Sequence, residues 1–106
     1  VYYASMSGEV KLWFEKAARK YGLAGKLGGA FATADYVPGG GAIAIQAILE
    51  HMLVYGMVTY SGGGAYGKPV IHLGPVAVKE EIERHAELFR TYGSRMAMKA
   101  VELFGK

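Results

Sequence analysis

Cysteine is absent from this chain of 106 residues. That excludes a disulfide scaffold, a cysteine-ligated zinc site and a thiol nucleophile, and it fits a reducing, cytoplasmic setting. Long hydrophobic runs are missing as well. The most apolar stretch, from Ala42 to Tyr55, is interrupted by Gln46, Glu50 and His51, so nothing reaches the ~18 residues of a membrane span. Charge of one sign is scarce: 12 basic and 9 acidic residues leave a net charge of +3, with the signs interspersed. Such a chain has no basic field to drive nucleic-acid binding. Disorder is excluded in turn, because 52% of the residues are apolar. What remains is a single globular domain over residues 1–106.

Glycine, by contrast, is abundant. Its 16 copies are about twice the ~7% of average usage. They gather at Gly28–Gly29, Gly39–Gly41 and Gly62–Gly64 with Gly67, between strongly apolar segments. Clusters so placed mark tight turns or close backbone approach.

The apolar periodicity gives an order of elements. The opening Val1–Ala4 is β-branched and aromatic and reads as the end of a strand. Ser7 is a good N-cap and Glu9 suits the first turn of a helix. Val10, Trp13, Phe14, Ala17, Ala18 and Tyr21 then follow at helical spacing, with Arg19 and Lys20 in the last turn and Gly22 beyond. Trp13 and Phe14 both read as core. Lys26–Thr33 is a small-residue apolar run that predicts a strand buried on both faces. Gly41–Tyr55 predicts a buried helix stopped by Gly56, and Met57–Tyr60 a short strand. Pro69–Gly74 extends that strand or adds an edge piece. From Val78, the stripe Ile82, Ala86, Phe89, Gly93, Met96, Ala100 and Leu103 predicts a long final helix. Alternation of strands and helices implies an α/β fold: an open parallel sheet with helices on both faces, three layers αβα.

In such sheets ligands bind outside the carboxyl ends of the strands. The segments expected there are Tyr2–Gly8, Thr33–Gly41 and Ser61–Gly67, which share tyrosines, glycines and small hydroxyl residues with one acid, Asp35. That rim suits a flat, uncharged or weakly anionic ring, stacked by tyrosine and approached by backbone N–H groups. A reduced flavin fits the description; turn glycines and surface tyrosines fit it equally. The histidines His51, His72 and His85 have no ligand spacing. Gly62–Gly67 matches G-x-G-x-x-G formally, but no helix follows it. No nucleophile elbow is present.

Four motifs resemble one family. VYYASMSGEVKLWF is similar to the third-strand loop and helix, P-T-R-[YF]-G-N-M-[SA]-G, of flavodoxin-like NAD(P)H:quinone oxidoreductases of the WrbA type. GKLGGAFATADYVPGGG resembles that family's second flavin loop, LVYGMV its H-[HF]-G-M-[IV] turn, and SGGGAYGKPVIHLG its G-G-x-x-Y-G-A segment. The resemblance runs the length of the chain. It implies FMN as cofactor, NAD(P)H as co-substrate, a quinone acceptor and a homo-oligomer. Residue by residue it implies that Tyr2, Tyr3 and Ala4 line the isoalloxazine, with Met6 turning the loop into the helix. Thr33, Ala34, Asp35, Tyr36, Val37, Pro38, Gly39 and Gly40 wrap the ring edges. Tyr55 stands near the flavin and Tyr66 on the substrate side.

The departures are specific. The family's phosphate loop S-x-T-G-[NH]-T and its first two strands have no counterpart in this sequence, its arginine is Tyr2, and its acid after the glycine pair is Ala42. The expectation is therefore a partial flavodoxin-like domain that binds FMN weakly by itself. Two other readings stand beside the quinone reductase: an electron carrier of the flavodoxin type, and a flavin-free interaction domain.

Overall fold

A computed structural model describes Val1–Gly105; Lys106 lies outside the described residues. Helix α1 covers Gly8–Lys16 and begins as its sequence dictates, with the Ser7 hydroxyl accepting from the Val10 amide at 3.3 Å. A 3-10 turn, Ala18–Tyr21, continues it to Gly22, which takes the left-handed conformation typical of a helix stop. Only one side of this helix is covered. Phe14 is 5% exposed whereas its neighbour Trp13 is 43% exposed, so the expectation that both are core holds for Phe14 alone. Burying that ring contributes about 1.5–3 kcal/mol.

Strand pairing is parallel, as expected, but in place of one open sheet it gives two short two-stranded ones laid end to end along the same chain paths. Strand β1 (Leu27–Gly28) pairs with β3 (Val58–Thr59), and β2 (Ala32–Ala34) pairs with β4 (Val76–Val78). The single strand expected over Lys26–Thr33 is thus broken at Gly29–Phe31. The cause lies on the neighbouring chain path: after the Tyr60 amide bonds to the Gly28 carbonyl, residues 61–74 leave the sheet, and pairing resumes where Ala32 donates to Pro75. Pro69–Gly74 is irregular rather than strand, and the extension of β3 is β4 instead. Nor is Val1–Ala4 a strand. Its contribution to the sheet is one bond, from the Val1 amino group to the Thr33 carbonyl at 2.9 Å. A lone Tyr2–Ser5 bridge follows it.

Helix α2 (Gly41–Val54) covers one face of β2, where Ile45 packs on Ala30 and Ala32 with Ile48, Leu49 and Val76 around them. Residue alternation sends Phe31 to the opposite face. There it meets Phe89 of helix α3 (Ala86–Phe104) edge-on at 5.7 Å. Helices therefore lie on both faces, but cover is uneven: Phe31 remains 61% exposed and Thr33 is exposed, so the strand is buried on one face only.

Two 3-10 turns, Lys79–Glu81 and Glu83–His85, precede α3, so the final helix starts later than its stripe predicts. Its inward residue is Tyr92, not Gly93. Gly93 faces open space, while the buried Tyr92 hydroxyl lies where a Gly29 Cβ would stand. Burial raises the Tyr92 pKa above its ordinary value, with the Ala30 backbone opposing the shift. No helix among the described residues is long and apolar enough to cross a membrane, and none of their acids and histidines cluster as metal ligands.

Candidate functional site

Parallel pairing gathers the carboxyl ends of β2 and β4 at one end of the sheet, and the Val1–Thr33 bond brings the first loop beside them. Tyr2 to Ser5 forms a tight turn closed by two backbone bonds, Tyr2 N–H to the Ser5 carbonyl at 2.9 Å and Ser5 N–H to the Tyr2 carbonyl at 3.0 Å. Its central residues, Tyr3 (φ 48°) and Ala4 (φ 59°), both sit at positive φ. That geometry is ordinary for Asn-Gly and costly for Tyr-Ala, of order 1–2 kcal/mol per residue. The turn holds Tyr3 fully out in solvent and Tyr2 at 67% exposure. Met6 follows and, with Val1, Tyr2, Ser5, Thr33, Ala44 and others, lines a cavity of about 220 Å³ between the loop, β2 and α2.

The second loop leaves β2 at Ala34. Asp35, Tyr36, Val37 and Pro38 are exposed, and the Gly39 amide closes a turn onto the Tyr36 carbonyl at 2.9 Å. Gly40 caps α2 at φ 93°, and a Cβ there would stand 2.7 Å from both the Cα and Cβ of Ala4. The two loops thus touch, and glycine at residue 40 is what lets them. Twelve of the fourteen expected residues come together in this way: Tyr2, Tyr3, Ala4 and Met6 from the first loop, Thr33 through Gly40 from the second. Neither loop contains Lys or Arg, so together they suit a planar ring and offer a phosphate no side-chain cation.

The other two lie elsewhere. Tyr55 is at the far end of α2, roughly 20 Å from Gly40 at 1.5 Å per residue. Its hydroxyl donates to the Phe14 carbonyl and its ring lies over Phe14, so it ties α2 to α1. Tyr66 sits in the 61–74 excursion at the outer edge of the sheet, with β2 between it and the first loop. It packs edge-on against Tyr60, and Arg95 of α3 fixes its loop by donating to the carbonyls of Tyr66, Gly67 and Pro69. Burial and the Tyr66 phenol raise the Tyr60 pKa, opposed by Lys99 and Arg95. The expectation that Ser61–Gly67 joins the carboxyl rim fails for the same reason. The third segment at that rim is Lys79–Glu81, which follows β4 and leaves beside Asp35 because Val78 pairs with Ala34. Its sequence signal was the β-branched alternation of Val76-Ala77-Val78 ahead of a charged run.

Parallel strands with two touching loops at their carboxyl ends are the arrangement by which open α/β sheets hold a ligand. Over 103 residues, 97% of its length, the chain is 46% identical to a curated flavodoxin of Clostridium saccharobutylicum, of which it spans 64%. No family model matches the chain, and no solved structure does. The fold is flavodoxin-like, and the similarity is to a flavodoxin. The expectation of an NAD(P)H:quinone oxidoreductase is overturned by this relative, which bears an electron carrier's name rather than that of such an enzyme. With the enzyme go the supports for NAD(P)H as co-substrate, a quinone acceptor and a homo-oligomer.

Proposed function

We propose that the two touching loops hold the ring of a flavin, FMN, and that the chain forms the ring-binding part of a flavodoxin-type electron carrier. The observation that carries this reading is the contact of Gly40 with Ala4, which joins the exposed Tyr2–Tyr3 turn to the glycine entry of α2 in one surface. Similarity to a flavodoxin across 97% of the chain supports the same reading. Bound flavin supplies the electron chemistry. The chain's own part is to stack tyrosine on the ring, to shield one ring edge with residues 33–40, and to leave the other edge open to a partner.

Because the two loops lack basic side chains, recognition by these residues is of the ring and not of the phosphate. Titration of flavin fluorescence with the chain therefore gives similar dissociation constants for riboflavin and FMN. Replacing Tyr2 and Tyr3 together by Ala removes stacking worth about 0.5–1.5 kcal/mol per ring and weakens binding about tenfold. Unchanged affinity in that double variant removes the first loop from the site.

A further inference from the structure

The net charge of this chain is not spread over it. Residues 8–26 hold five of the basic residues against Glu9 and Glu15 alone, whereas from residue 27 onward seven basic residues meet seven acidic ones. Two of these three charges reside on α1 and the turn that continues it, and the third is Lys26 just beyond. Lys11 is engaged, paired with Glu15 at 3.8 Å and donating to His51 at 2.9 Å. Lys16, Arg19 and Lys20 are exposed and form no ion pair among the described residues. Their i, i+3, i+4 spacing puts them on one side.

Two further features lie on the same strip. Trp13 and Tyr21, both exposed, stack with centroids 6.3 Å apart and planes 16° from parallel. A shallow groove between the first loop and α1 is lined by Tyr2, Ser7, Gly8, Glu9 and Leu12. Leu12 is one turn before Lys16, so the strip runs from the Tyr2 turn to the basic triad, with Glu9 at the loop end and Glu15, paired with Lys11, beside Lys16. Lys16 lies about 13 Å along the helix from Ser7 at 1.5 Å per residue. A partner footprint of ~800 Å² covers both.

We propose that this face of α1 is the docking surface for an acidic protein, whose carboxylates the triad attracts so that the partner settles over the Tyr2–Tyr3 turn. That the partner is a redox protein rests on the carrier reading above; the surface and its preference for acidic partners do not. Charges arranged in this way govern encounter rate and orientation more than final affinity.

The test is a titration of the isotopically labelled chain, followed by amide NMR, with a short poly-glutamate peptide, with poly-lysine and with single-stranded DNA. Expected are shifts confined to residues 11–21 and the Trp13 indole with poly-glutamate and none with poly-lysine. They shrink several-fold when the ionic strength is raised tenfold. The triple variant Lys16→Glu, Arg19→Glu, Lys20→Glu abolishes them and leaves riboflavin affinity unchanged; Lys16→Gln with Lys20→Gln reduces them and guards against misfolding of the first. Shifts centred on Arg84, Arg90 or Lys68, or a stronger response to DNA than to poly-glutamate, overturn the proposal. A chain that binds no flavin yet shows the α1 response breaks the carrier reading alone. Flavin binding without that response breaks this proposal alone.

Discussion

The two glycine triplets look alike in sequence and do different work. At Gly39–Gly41 every added Cβ would collide: with the Tyr36 carbonyl at 2.8 Å, with Ala4 at 2.7 Å and with Val76 at 2.5 Å. At Gly62–Gly64 and Gly67 there is room, with nothing nearer than 3.5 Å. The first triplet exists because three pieces of chain converge there: a turn, the neighbouring loop and the edge of the sheet. The second serves a loop that wanders and needs little beyond permissive dihedrals. Glycine composition alone announces both; only the fold says which of them is crowded.

The strongest way to break this comparison is Gly40→Ala. Collision with Ala4 adds to the strain of φ 93°, and the two together cost about 2–3 kcal/mol of unfolding stability by urea titration. Riboflavin affinity falls with it, because the loops separate. If stability drops no further than in the next variant, the contact between the loops is dispensable. Gly67→Ala meets no atom and bears only the cost of φ 85°, about 1 kcal/mol, with flavin affinity unchanged. The comparison is sharpened from the other side by Ala4→Gly. Relieving φ 59° stabilises the chain by up to about 1 kcal/mol, less the entropy that glycine adds to the unfolded state. A loss of stability there would mean that the Ala4 methyl contributes more by packing on Gly40 than its dihedral costs.

The smallest effect concerns the opposite face. Tyr92 keeps its proton in the folded chain at pH values where the unfolded chain gives it up. The unfolded state therefore binds fewer protons, and stability declines as pH rises through the unfolded value of 10.0. In Tyr92→Phe that alkaline decline is shallower, while stability at pH 7 changes little. Equal slopes in the two chains would show that the phenol is not held by burial.

Much of the fold was legible locally. Ser7, Gly22 and Gly56 mark helix ends that the structure keeps, and the parallel alternation follows from the order of apolar segments. Three things were not legible, each for a tertiary reason. Trp13 and Phe14 are equally apolar neighbours at helical spacing, and only the narrow contact with His51 and Tyr55 of α2 selects Phe14. The break at Gly29–Phe31 is imposed from across the sheet by residues 61–74, which carry no strand-breaking signal for the segment opposite. Tyr55 and Tyr66 were placed by resemblance. The helix that separates Tyr55 from Gly40 is itself readable, and its length alone puts them at opposite ends of the sheet. The first and second loops were legible because they follow predicted strands, at the end where open α/β sheets bind ligands, and share tyrosine, glycine and small hydroxyl residues. The close approach of Ala4 to Gly40 leaves no trace in either segment.

The excursion pinned by Arg95 has an effect on colloidal behaviour. Four positions separate Gly28 from Ala32 on the inner strand path, yet seventeen separate Thr59 from Val76 on the outer one. The outer edge is thereby cut into strands of two and three residues, with a bulky loop between them. An uninterrupted edge of Val, Thr and Ala would present a ready template for strand addition by another molecule. Divided like this, it offers a stranger too few consecutive backbone groups to grip.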